Sequence, residues 1–225
     1  MENQMKVAVR VVLATLLWSG SAAAQAPTAA DFSRHADVNE VSLSPDGKYV
    51  AMAVPSADGM ETQLQIISLD GSGRSQTLRF ARQQHVTRII WSADDQVVVA
   101  RARMEPLRAQ PYSLGELMTS DVTGKNQDTL FAYEPDAGVR RGKRKDMGFA
   151  TVVKVLDQEP GKILVDFTAW PRDRGDEKQT TSIYKVDTRT GNRQEVEQVK
   201  DTASFMFDHS GRARVKVTTD ENDDP

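Results

Sequence analysis

The sequence predicts an all-β protein: an incomplete β-propeller of about three and a half four-stranded antiparallel blades after a cleaved signal peptide. Three observations predict it. Strand–turn–strand units recur along the chain. Two unlike kinds of unit alternate, and both keep a common period near 50 residues.

The chain opens with a segment that precedes any fold. Residues 1–10 carry Lys6 and Arg10, residues 11–18 are apolar apart from Thr15, and Gly20, Ser21 and Ala22 to Ala24 follow. Basic, apolar, then small is the order of a secretory signal peptide, with Ala22 and Ala24 at an A-x-A cleavage site. Residues 1–24 are therefore expected to be removed, which predicts an exported protein, periplasmic or secreted. The apolar run is far shorter than the roughly 20 residues of a membrane span. Residues 25–40 form a short N-terminal segment, and 41–225 form the partial propeller.

The first kind of unit is a strand, a tight turn and a strand. Val41-Ser42-Leu43, then Ser44-Pro45-Asp46-Gly47, then Tyr49 to Val54 is the sharpest copy. Pro45 presets φ for the turn, Asp46 tolerates its second position and Gly47 relieves the exit. Ile89 to Ala100 is the next copy, turning at Ser92 to Asp95. Val152 to Val165 follows with Glu159-Pro160-Gly161, and Phe205 to Val217 with Asp208 to Gly211. The second kind turns from an Asp to a Gly: Asp70 to Gly73, Asp121 to Gly124 and Asp187 to Gly191, each after a run of β-formers.

The spacings place an insertion. Positions 47, 95, 161 and 211 are 48, 66 and 50 apart, and Gly73, Gly124 and Gly191 are 51 and 67 apart. Both series lengthen once by nearly the same amount, so one insertion lies between Gly124 and Gly161. The polar, charged stretch near 134–148 fits it. A β-sandwich also spaces strands regularly, but two unlike hairpins alternating in register favour stacked blades. Three blades and the first hairpin of a fourth are present. A half-blade leaves an unpaired edge, so the sequence reads as a fragment.

Composition excludes some functions. A net charge of −3 gives no nucleic-acid partner, and no second apolar stretch is long enough to span a membrane. There is no cysteine, hence no disulfide framework and no thiol lipidation.

No residue is assigned a catalytic, cofactor-binding or metal-binding role, and no cofactor is expected. The nucleophile elbow G-x-S-x-G is absent, and Gly71-Ser72-Gly73-Arg74-Ser75 reads as a flexible turn. His35, His85 and His209 are mutually remote and read as loop or turn residues. The basic run Arg140-Arg141-Gly142-Lys143-Arg144-Lys145 reads as a solvated loop, although it could also dock an acidic partner or an anionic surface. The acidic stretch 220–224 lacks the ligand spacing of a calcium loop. Trp91, Trp170 and Phe205 are expected to fill the space between blades.

The unit Leu43-Ser44-Pro45-Asp46-Gly47-Lys48-Tyr49-Val50-Ala51 resembles the propeller repeat of the prolyl oligopeptidase family of serine peptidases, including its exported acylaminoacyl-peptidase and dipeptidyl-peptidase branches. It also resembles the periplasmic propeller of the Tol system. Ala30-Asp31-Phe32-Ser33-Arg34-His35, just before the first repeat, is similar to bacterial relatives of the peptidases. That resemblance implies a substrate-gating propeller, with the Ser-Asp-His triad on a C-terminal α/β-hydrolase domain that this chain lacks. Peptide substrates would be handled through that domain, and the chain alone would be inactive. There is no Glu-Glu pair of the dipeptidyl kind, so the branch stays open. The rival expectations are an envelope binding or scaffold propeller, and a propeller enzyme with its site in the channel.

Overall fold

A computed structural model describes residues 28, 36–80, 84–104, 111–133, 145–171 and 179–218. The chain divides into two units, 1–35 and 36–225. The expected signal peptide, His35, residues 140–144 of the basic run and the acidic stretch 220–224 lie outside the described residues.

The described residues form fourteen strands and no helix. β1 (Glu40–Leu43), β2 (Tyr49–Pro55), β3 (Thr62–Ser68) and β4 (Ser75–Leu78) form the first blade. β5 (Gln84–Ala93), β6 (Gln96–Arg103), β7 (Tyr112–Asp121) and β8 (Asp128–Phe131) form the second. β9 (Gly148–Val155), β10 (Lys162–Ala169), β11 (Thr181–Asp187) and β12 (Arg193–Val199) form the third. β13 (Ala203–Phe207) and β14 (Ala213–Thr218) pair as a two-stranded fourth. Each sheet is an antiparallel meander in chain order, so the architecture is an open propeller of about three and a half blades.

Turn chemistry sets the registers. In the first turn the Ser44 hydroxyl donates to Asp46 Oδ1 at 2.8 Å, and that oxygen also accepts the Lys48 N–H. The Tyr49 N–H returns to Ser44 Oγ at 3.0 Å. Gly47 has φ 72°, a left-handed conformation that suits glycine. Lys48 beside it, then the Ser44 hydroxyl, hold the Asp46 carboxyl down at about 2. The same device recurs between β2 and β3: Ser56 Oγ donates to Asp58 Oδ1 at 2.6 Å, the Glu61 N–H returns to Ser56 Oγ, and Gly59 has φ 69°. This second Ser-x-Asp-Gly turn, unremarked in the sequence reading, has the same spacing as the first. In the fourth blade the order is reversed: Asp208 leads and accepts from Ser210 Oγ and the Arg212 N–H.

Apolar burial lies between blades, and the pleat divides it. Val97 and Val99 of β6 pack with Ala51, Ala53, Leu64 and Ile66 of the first blade. Val98, between them in sequence, packs with Ile163, Val165 and Val186 of the third. Leu164 of β10 turns the other way again, onto Ile183 and toward Phe205 and Phe207 of the fourth. A strand run apolar on both faces is thus explained by a blade with neighbours on both sides. As expected, Trp91 spans a seam: it is buried in the first–second layer, and its indole N–H donates to the Ser42 carbonyl at 3.3 Å.

The outermost faces of the stack are apolar and exposed. Pairing puts Val41 opposite Met52, and Leu43 opposite Val50, on the side of the first blade away from Ala51 and Ala53. Val41 is 60% exposed and Leu43 58%. Met206 and Val215 pair on the fourth blade's side away from Phe205, and Met206 is 65% exposed.

The long interval lies between β8, ending at Phe131, and β9, starting at Gly148; β4 to β5 and β12 to β13 are much shorter links. Residues 134–144 are outside the described set. Asp146, near the return, is buried and accepts from Arg193 of β12: Arg193 Nη2 donates to Asp146 Oδ2 at 2.8 Å. The same guanidinium reaches the Leu130 carbonyl and sits 3.5 Å over the Phe131 ring. This pair, only 8% and 7% exposed, fastens the third blade to the end of the second.

Candidate ligand-binding cleft

His85 corrects the sequence reading: it is a strand residue of β5, only 5% exposed, not a loop or turn residue. Its Nδ1 lies 3.0 Å from the Thr62 hydroxyl of β3. A hydroxyl beside an imidazole is two-thirds of a nucleophile–base–acid arrangement. The third part is missing, because buried His85 Nε2 has no hydrogen-bond partner among the described residues. Both residues are also sealed between blades. Burial pushes the His85 imidazolium pKa down, with Glu61 opposing, which favours the neutral ring. His209 lies in the β13–β14 turn, as expected.

Among the described residues no group of three His, Cys, Asp or Glu side chains could hold a metal ion. Gly71 to Arg74 form the β3–β4 turn, closed by Asp70, which accepts the Ser72 N–H at 2.9 Å and the Arg74 guanidinium at 2.7 Å. No described helix is long and apolar enough to cross a membrane.

A cleft of about 400 Å³ opens instead on the third blade, where β10 and β12 end and β11 begins. That volume suits a small organic ligand. Strand alternation places Phe167 of β10 and Ser182 and Tyr184 of β11 on one sheet face. Trp170, directly after β10, forms a wall of the cleft. Its ring is braced by Tyr133 at 5.3 Å and by Phe149 at 5.6 Å in an edge-on contact. Its backbone N–H donates to the Met147 carbonyl at 2.9 Å. Trp170 therefore does not fill an interblade core as Trp91 does; it is a fixed surface ring. Phe167 and Tyr184 meet edge to face at 6.3 Å.

The polar lining is Gln179, Thr180, Ser182, Gln198 and Lys200. Gln198 Nε2 donates to Ser182 Oγ at 3.2 Å and to Glu195 Oε2 at 3.1 Å, and the Tyr184 hydroxyl reaches the same Glu195 oxygen at 3.3 Å. Gln179 Oε1 accepts from the Thr202 hydroxyl. Among the described residues Lys200 is the only charged one in the lining. Sequence reasoning singled out Trp170 but not its partners. Only the local order Trp-Pro at the end of an apolar strand hinted at a rim.

Neither a family model nor a curated protein matches the chain. Several solved structures do. A protein of Clostridium novyi NT named as a conserved lipoprotein is 12% identical with TM-score 0.44, covering 69% of this chain and 89% of that one. Kuenenia stuttgartiensis hydrazine synthase is 13% identical with TM-score 0.40, covering 76% of this chain and 47% of that one. An oligogalacturonate lyase in complex with manganese is 15% identical with TM-score 0.31, covering 79% and 58%. No residue role passes from these proteins to this chain. Its own strand pairing and layered core define it as an open β-propeller.

Proposed function

We propose that the chain is the non-catalytic, substrate-gating propeller portion of an exported serine peptidase of the prolyl oligopeptidase type. The observation that carries this reading is the Ser44-Pro45-Asp46-Gly47 hairpin. It opens a regular series of blades soon after the Asp31-Phe32 segment, the order in which the sequence resembles those peptidases. On this reading residues 1–24 are cleaved on export and residues 25–40 lead into the propeller. The stacked blades admit short peptides to a serine on a separate hydrolase domain. Specificity would come from access rather than from contacts made by catalytic side chains in the blades.

The test is to read the gene beyond the codon for Pro225, alongside a peptidase assay of the purified chain. A downstream G-x-S-x-G followed by Asp and His codons, with an inactive isolated chain, supports the proposal. A continuation made only of further repeats overturns it. The second reading, an envelope binding propeller, is supported by the preformed aromatic cleft beside Trp170.

A further inference from the structure

We propose that the cleft at the ends of β10, β11 and β12 binds a carboxylate carried on a flat apolar group, as in a peptide ending in an aromatic residue. The shape requirement comes from the walls. Trp170 cannot swing freely, because Tyr133 and Phe149 hold two sides of its ring and its backbone is tied to Met147. Phe167 and Tyr184 line the same space. Rigid aromatic walls set at a fixed position favour a flat or apolar body and cost little ordering on binding.

The charge requirement comes from Lys200. Among the described residues no Asp or Glu lines the cleft, and the Lys200 ammonium has no ion pair. Glu197 pairs opposite Ile183, whose side chain belongs to the layer toward the fourth blade, and Glu195 and Asp201 have hydrogen-bond donors of their own. Glu195 accepts from Tyr184 and Gln198, and Asp201 accepts the Thr202 N–H at 2.8 Å. Gln179 uses its oxygen on Thr202, which leaves its amide nitrogen as a second donor. A cation and an amide donor beside an apolar wall select an anion with an apolar body over a neutral analogue. The carboxylate could belong to a free small acid or to a peptide C-terminus, and the two share this chemistry.

The test is calorimetric titration of the full chain with N-acetylphenylalanine, with its C-terminal amide, and with acetyl-Ala-Ala-Phe. The acid is expected to bind at least about tenfold more tightly than the amide, the scale of one charge-assisted hydrogen bond. Lys200→Gln, an exposed substitution, is expected to abolish that preference with the thermal melt unchanged, and Trp170→Ala to weaken acid and amide alike. Tighter binding of the tripeptide identifies a peptide C-terminus as the source; equal binding identifies a small free acid. Equal affinity for acid and amide overturns the proposal. So does an unchanged preference in Lys200→Gln, or the lack of saturable binding at millimolar acid.

Discussion

The hydroxyls of Ser92 and Thr188 meet at 2.8 Å across the seam between the second and third blades, although 96 residues separate them. Thr188 Oγ1 also donates to the Gly161 carbonyl at 2.8 Å, and Ser92 Oγ to the Gln96 carbonyl at 3.3 Å. The Gly161 N–H donates back to the Ser92 carbonyl, and Gln96 Nε2 reaches the Thr188 carbonyl at 3.3 Å. Three turns from two blades are thus tied into one buried knot. Thr188→Val keeps the shape and removes the hydroxyl. It is expected to cost about 1 kcal/mol, because the Ser92–Thr188 hydroxyl contact is lost and the Gly161 carbonyl keeps only the Thr188 backbone N–H. Urea unfolding with an unchanged slope and a lower midpoint checks this.

The Arg193–Asp146 pair is nearly sealed from water and joins β12 to the end of the second blade. Removing one partner strands a buried charge. Asp146→Ala is expected to cost about 3–5 kcal/mol. Arg193→Lys keeps the charge but loses the two-pronged contact with Asp146 and the planar stack on Phe131, so it also destabilises. Thermal melts of both variants measure the difference, and an Arg193→Lys melt equal to the parent contradicts the account.

Two glycines separate conformation from space. Gly47 has φ 72° and open surroundings, with nothing within 4 Å of an added Cβ. Gly47→Ala is expected to cost about 1 kcal/mol, the strain of a left-handed residue alone. Gly115 has φ 65°, and an added Cβ would sit 2.6 Å from the Phe149 Cα. Gly115→Ala is expected to cost about 3 kcal/mol or more. Phe149→Ala should not rescue it, because the obstacle includes backbone.

His85 makes stability depend on pH. Burial lowers its pKa in the folded chain, so the unfolded chain takes the proton first. The neutral ring's contribution is whole above about pH 6.5 and declines as pH falls through the unfolded value toward the folded one. His85→Gln is expected to flatten this part of the pH–stability curve. An NMR titration of the His85 ring checks the direction, and a midpoint above the ordinary histidine range refutes it.

Much of the fold was legible because its signals are local. Pro45-Asp46-Gly47 and Asp187 to Gly191 name their turns by backbone chemistry, and the common excess in both spacing series locates the long β8–β9 link. The alternation of Val97, Val98 and Val99 between two layers could be expected only once blades were stacked, because an unbroken apolar run has no visible period. His85 was misplaced because a lone polar residue looks exposed until Thr62, 23 residues away, is brought beside it. Asp146 was hidden in a charged stretch, and nothing local marks Arg193 as its partner across 47 residues. The cleft was illegible for the same reason: Trp170 is held by Tyr133 and Phe149, which only the fold assembles.

The bare outer faces of the first and fourth blades set an order of breathing for the whole stack. Val97, Val98 and Val99 are fully screened, with a neighbouring sheet on each side. Val41 and Met206, on the outward faces, are 60% and 65% exposed. Amide exchange should therefore begin in β1 and β14 and reach β6 last, so the chain loosens from its two ends inward while its middle keeps time.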